Sequence, residues 1–233
     1  MARRYRDVMR ELVEAVAAGA YPEGTWLPHE SELAGRFGCS RGVIREAIRG
    51  LEERGLVEVQ RARGQRVRQR EYWDVRDPDV LRACIERGPE PATLAQAIDA
   101  RAAVECAAAT RALEHATDRD FSMLRSRIGD MERAAELRTD RAGDETDPFV
   151  LADAWFHHTL ALLSDNAVLA KLVEPLQLVI AQVRHARAPE RERSVISHHR
   201  RILEGLSSRE PDLAAEAISA YAERLARWLA ESR

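Results

Sequence analysis

The chain has 233 residues, of which 45% are hydrophobic, 32% charged and 5% aromatic, and a formal net charge of −3. That much apolar material excludes disorder, and the scarcity of aromatics, Gly (12) and Pro (9) speaks against a β-sandwich or barrel and for helices. Cys39, Cys84 and Cys106 are widely spaced and form no CxxC, which excludes a disulfide framework or thiolate zinc site, and no run approaches the ~18 apolar residues of a membrane span, so a cytoplasmic protein is expected.

Charge is unevenly spread. Residues 1–70 hold 14 Arg against 10 acidic residues, a net of +4, so residues 71–233 carry −7 of the total −3. A basic head on an acidic body suggests that the head meets a polyanion. Lys171 is the single lysine, so arginine at any one position says little about a choice of guanidinium over ammonium.

In chain order, Val8, Leu12 and Val16, with Met9 and Val13 beside them, predict an amphipathic helix from Tyr5 to Gly19. A turn-rich connector, 21–28, leads to a short helix, Glu30 to Phe37, closed by Gly38. Ser40 is a plausible N-cap for a longer helix from Arg41 to about Arg54. Two short helices on a tight Gly-containing turn make a helix-turn-helix. Two short strands, 56–59 and 65–68, then form a hairpin that reads as a wing. On the second helix Ile44, Ala47, Ile48 and Leu51 share one face, while Arg41, Arg45 and Arg49 share the adjoining one. Those arginines could enter the DNA major groove, or pair with Glu46, Glu52 and Glu53 on a solvated face. The preceding helix and the wing, where Arg61 and Arg63 lead into a glycine tip at Gly64, favour DNA contact.

Beyond Arg76 helices are expected at 78–87, opened by Asp77-Pro78, then at 93–115, 118–138, 149–164, 166–186, 191–207 and 211–231, with a polar loop over 139–148. The fold class is therefore mostly α: an N-terminal winged helix-turn-helix over 1–70, a connector with a short helix over 71–92, and an antiparallel helical bundle over 93–233. Asp153 and His157, i and i+4, share a helix face, and His199 can point inward from another helix. A carboxylate and imidazoles so arranged suit a divalent metal, although a surface Asp–His pair and a solvated His have the same spacing. Arg101 could clamp a carboxylate or pair with Glu105 one turn on. His29, His115, His158, His185 and His198 have no evident partners, and Cys39 reads as a small buried hydrophobe.

The stretch from Tyr21-Pro22-Glu23-Gly24 through Leu33-Ala34, Ser40-Arg41, Arg45-Glu46-Ala47 and Gly55-Leu56-Val57 resembles the winged-helix head of the GntR family of bacterial transcription regulators. The resemblance implies DNA contacts at Ser40, Arg41, Arg45 and the wing at Arg63-Gly64. Ser31 and Gly42 depart from the family's usual contacts, so the operator sequence cannot be borrowed from a relative. Residues 93–230 resemble the FCD effector domain of the FadR branch, through Arg101/Glu105, Asp153/Phe156/His157, Ser164 to Leu169, and His199 to Leu203. The resemblance implies an Asp and three His holding zinc or nickel, with a nearby Arg taking a carboxylate effector. Asp153, His157 and His199 match; the third His aligns with Tyr221, and a phenol ligates poorly until it ionises. Tyr221 is thus expected to be the pocket's fourth wall or an effector contact, with Arg101 the clamp. Residues 72–81 are similar to a linker of sugar-acid regulators in this branch, which implies an aldonate or related hydroxy acid.

The expected function is a ligand-responsive, non-enzymatic repressor: a homodimer on double-stranded operator DNA, with no membrane partner, released by a small carboxylate. The alternatives are a metal-dependent, hydrolase-like bundle with a DNA-targeting head, and a ligand-independent architectural protein.

Overall fold

The computed structural model describes residues 2–60, 63–88, 92–137, 147–183 and 189–231. The chain divides into two compact units, Met1–Thr93 and Leu94–Arg233.

In the first unit, helix α1 (Ala2–Ala17) buries Val8, Met9, Leu12, Val13 and Val16 along one stripe. Helix α2 (Glu30–Phe37) ends at Gly38, whose left-handed φ of 57° lets its N–H turn back to Gly35 and Ala34 carbonyls. Helix α3 (Arg41–Glu53) starts at Ser40, whose hydroxyl accepts from Val43 N at 3.4 Å, and buries Ile44, Ala47, Ile48 and Leu51 against α1 and α2. Gly55, at φ 72°, makes the exit turn, and a Cβ there would run into the Tyr72 carbonyl. Strands β1 (Val57–Gln60) and β2 (Gly64–Val67) pair antiparallel, from Val57↔Val67 to Gln60↔Gly64. This is the expected hairpin in the same register, with each strand displaced one residue toward the turn. Trp26 adds a bridge to Arg66 at its edge. A 3-10 turn (Arg70–Tyr72) leads to helix α4 (Pro78–Arg87), where Asp77 accepts from Asp79 N and Val80 N at 3.0 and 3.2 Å. Helix α4 lies within the segment expected as a connector, but it packs on α1 and groups with the first unit.

The second unit holds α5 (Ala92–His115), α6 (Asp118–Leu137), α7 (Pro148–Leu163), α8 (Ala167–Val183), α9 (Pro189–Ser207) and α10 (Pro211–Glu231). Thr117 and Asp120 cap α6 reciprocally: the Asp120 carboxylate accepts from Thr117 N at 2.8 Å, and Thr117 Oγ1 accepts from Asp120 N at 3.4 Å. Asp147 caps α7 by accepting from Phe149 N at 2.9 Å, and Pro148 takes the first helical position, so the helix opens where a loop was expected to end. Helix α7 is buried nearly all round. It packs on α6 and α8, while α9 packs on α6 and α10. Phe121, Leu124, Ile128, Met131, Phe156, Leu160, Ile202, Leu206 and Ile218 form the core. No helix among the described residues is long and apolar enough to cross a membrane.

Candidate functional site

Two constellations emerge, one in each unit. In the first, Ser40, Arg41, Arg45, Arg49, Arg63 and Ser31 are all exposed. A groove of 340 Å³ between the start of α3 and the wing is lined by His29, Glu30, Ser31, Arg41, Gly64 and Gln65. Gly64, at φ 107°, lets the hairpin turn without a side chain at its tip. Arg49 pairs with Glu46 at 3.3 Å, as the solvated alternative foresaw. Arg45 pairs instead with Glu30 of α2, Nε to Oε2 at 2.8 Å, a partner the spacing along α3 does not reveal. Both arginines are exposed, and of their partners Glu46 is exposed and Glu30 partly covered, so each pair contributes little to stability and leaves the guanidinium able to turn outward. Arg61 lies outside the described residues.

In the second unit the structure brings Asp153, His157 and His199 together. One ligand atom from each lies within 4.8 Å of the others, and all three residues are fully buried. Asp153 and His157 come from α7 one turn apart, and His199 comes from α9. His199 Nδ1 lies 2.7 Å from the Val195 carbonyl, which can only accept, so Nδ1 carries the proton and the neutral ring presents a lone pair at Nε2. His157 Nδ1 lies 2.8 Å from Glu105 Oε1, an ion-pair distance at which neither atom makes a well-directed hydrogen bond. The two Nε2 atoms face each other at 3.1 Å, and Asp153 Oδ1 sits 3.3 Å from one and 3.9 Å from the other.

Two facing ring nitrogens beside a carboxylate suit a positive centre, whether a proton shared between the rings or a metal ion. A first-row ion bound at about 2.0–2.2 Å has tetrahedral ligand edges of roughly 3.3 Å, which the three separations approach. Backing of each imidazole Nδ1 by an acceptor is what a metal-ligating histidine needs to hold its orientation. Burial pushes the Glu105 carboxyl up, but His157 and Arg101 outweigh it and hold it below the usual carboxylate range. The residues present therefore fit a divalent ion.

Around this triad, Arg101 is 1% exposed, its Nε 3.5 Å from Glu105 Oε1 and its Nη1 donating to Gln177 Oε1 at 2.6 Å. Gln177 Nε2 donates to Asp153 Oδ2 at 2.9 Å. The Tyr221 hydroxyl donates to Asp153 Oδ1 at 3.4 Å, its ring stacks on His157 at 5.8 Å, and Arg101 lies over the same ring at 5.5 Å. Arg101 and Glu105 are indeed an i, i+4 pair, but a buried one joined to the triad. Gln177 went unrecognised. Its signal was a single amide in the otherwise apolar run Leu176 to Ile180 of α8. Two other expectations shift. His198 is half-buried, its ring 5.4 Å from Tyr221, and burial lowers its pKa. Cys39 is only partly buried.

Comparison with known proteins places this geometry. The pattern described as "FCD domain" matches residues 96–224, and that described as "Bacterial regulatory proteins, gntR family" matches residues 4–67. The galactonate operon transcriptional repressor of Escherichia coli K12 is 28% identical over 209 residues, covering 88% of each chain. The transcriptional repressor NanR of Klebsiella aerogenes is 28% identical over 232 residues, 96% of this chain and 84% of its own. Among solved structures, Lar of Listeria monocytogenes has a TM-score of 0.67 at 21% identity, over 98% of this chain and 97% of its own, a likeness of fold. The hydrolase alternative gains no support from these relatives.

Proposed function

Because the chain belongs to the GntR family of bacterial regulatory proteins and carries an FCD domain, we propose that it is a ligand-responsive transcription regulator, a repressor released from its operator by a small carboxylate. The observation that carries the reading is the buried Asp153–His157–His199 triad with Arg101 beside it, in a chain whose head exposes Arg41, Arg45 and Arg49 along one helix. In this reading Ser40, Arg41, Arg45, Arg49, Arg61, Arg63 and Gly64 meet DNA, and two heads of a homodimer engage successive major grooves, since one head makes too few base contacts for useful specificity.

Asp153, His157 and His199 hold a divalent ion such as zinc or nickel. When bound, the ion supplies positive charge and open positions that an effector carboxylate can fill. Arg101 pairs with the remaining charge, and Tyr221 closes the wall and steadies Asp153. The name of the Escherichia coli relative makes galactonate the first acid to try.

The test measures affinity for DNA from the chain's own upstream region, with and without saturating galactonate and related acids. Arg45→Ala should weaken specific binding by ~1–3 kcal/mol and relax base preference. An effective acid should shift wild-type affinity by about 5–150-fold. Unchanged footprints for the variant, or no acid that alters DNA affinity, would overturn the reading.

A further inference from the structure

Gln177 belongs neither to the proposed ligand set nor to the DNA interface, yet it touches both the proposed carboxylate clamp and one of the proposed metal ligands. Its amide is 1% exposed. The oxygen accepts from the clamp, Arg101 Nη1, at 2.6 Å, and the nitrogen donates to the second oxygen of Asp153 at 2.9 Å. The same residue lines a cavity of 260 Å³ between α7 and α8, whose other walls are Leu151, Ala154, Trp155, His158 and Glu174. The amide thus separates that cavity from the buried cluster.

We propose that Gln177 is a built-in stand-in for the effector. In the ligand-free protein its amide oxygen occupies Arg101, and an incoming carboxylate takes that place while the side chain turns toward the α7–α8 cavity. The inference rests on the reading of Arg101 as the carboxylate clamp. A buried guanidinium left without an acceptor is costly, so the amide stabilises the empty state. An amide oxygen carries no net charge, however, so an incoming carboxylate adds a Coulombic attraction to the guanidinium, and can bond it bidentately, where the amide cannot. The exchange therefore favours acids and rejects neutral sugars of the same shape, which gain nothing over the amide they must displace. Gln177 is in this sense a specificity-determining residue. Its departure also removes one donor from Asp153 Oδ2, and Gln177 itself lies on a helix whose Pro175, two residues earlier, already lacks the N–H for one helical hydrogen bond.

The test uses the full chain and two near-isosteric variants, with galactonate as probe, galactose as neutral control, and affinity for upstream DNA as the second readout. Gln177→Met cannot hydrogen-bond Arg101. It should bind galactonate about tenfold more tightly than wild type and still respond on DNA. Gln177→Glu gives Arg101 a permanent carboxylate. It should bind galactonate at least about tenfold more weakly and, with no ligand added, bind DNA about tenfold more weakly than wild type, as if already occupied. A merely structural glutamine would not make one variant tighter and the other constitutively released. If wild type responds to galactonate while ligand-free Gln177→Glu binds DNA as wild type does, the stand-in is overturned and the effector reading survives. If wild type ignores galactonate but ligand-free Gln177→Glu is weakened, the stand-in holds and the acid is a different one. If neither changes, the stand-in is overturned, and the effector reading falls only if every related acid is also without effect.

Discussion

His157 and His199 each have one nitrogen held from behind and present the other to a common point. Glu105 is the carboxylate behind His157, so its contribution to metal binding is orientation and basicity. In zinc titrations of metal-stripped protein, Glu105→Gln should weaken binding by about 10–100-fold, the usual effect of removing a residue behind a ligand. His157→Ala should abolish stoichiometric zinc, and Tyr221→His should tighten it by adding an imidazole beside Asp153. Wild-type protein that takes up no zinc or nickel, or a Glu105→Gln variant that holds zinc as wild type does, would refute the metal reading.

At the scale of elements, Gly205 sets the approach of α9 to α10. A Cβ there would lie 2.6 Å from the Ala214 nitrogen and 2.8 Å from its Cα, and backbone atoms cannot step aside. Gly205→Ala should lower stability by about 1–3 kcal/mol, as overpacking does, read as a drop in melting temperature. Gly35→Ala, inside α2 with open space around it, should instead be neutral or stabilise by up to about 1 kcal/mol. A Gly205 variant melting at or above wild type would contradict the packing argument. Local signals made much of this architecture legible. Asp77-Pro78 and Ser40 start helices in the structure because cap chemistry depends only on neighbouring residues. Asp147-Pro148 carries the same signature, but it sits at the end of a polar run that reads as loop. The hairpin keeps the register that pairing 56–59 with 65–68 implies, and only its ends lie one residue nearer the tip, where Gln60↔Gly64 closes it. Asp153 and His157 could be placed on one face because they share a helix. Gln177 could not be linked to Arg101, 76 residues away, because no periodicity spans that distance.

For the molecule as a whole, acid should be the weakening condition. Hydrogen bonds from Arg76, Thr117 and Lys171 hold the carboxyls of Asp74, Asp120 and Glu174 below the ordinary carboxylate range. Their folded values lie below their unfolded ones, so each adds stability that is present above about pH 4 and is lost as pH falls through the lower folded value. Melting temperature should stay nearly level with respect to these groups from neutral to about pH 5 and decline below about pH 4. A rise between pH 5 and 3 would contradict the assignment. These groups are largely exposed, so the decline should be shallow.

The Arg45–Glu30 pair has a consequence for how the regulator finds its operator. In its proposed role Arg45 arrives at DNA with its own counterion attached, so the pair carries no net charge toward the phosphate backbone that every sequence offers. Directional hydrogen bonds to a guanine edge survive this neutralisation, because they depend on where the N–H groups point. Glu30 therefore subtracts more from attachment to random DNA than from attachment to the right bases. Against the millions of competing sites in a genome, that ratio, rather than the strength of the grip, decides occupancy.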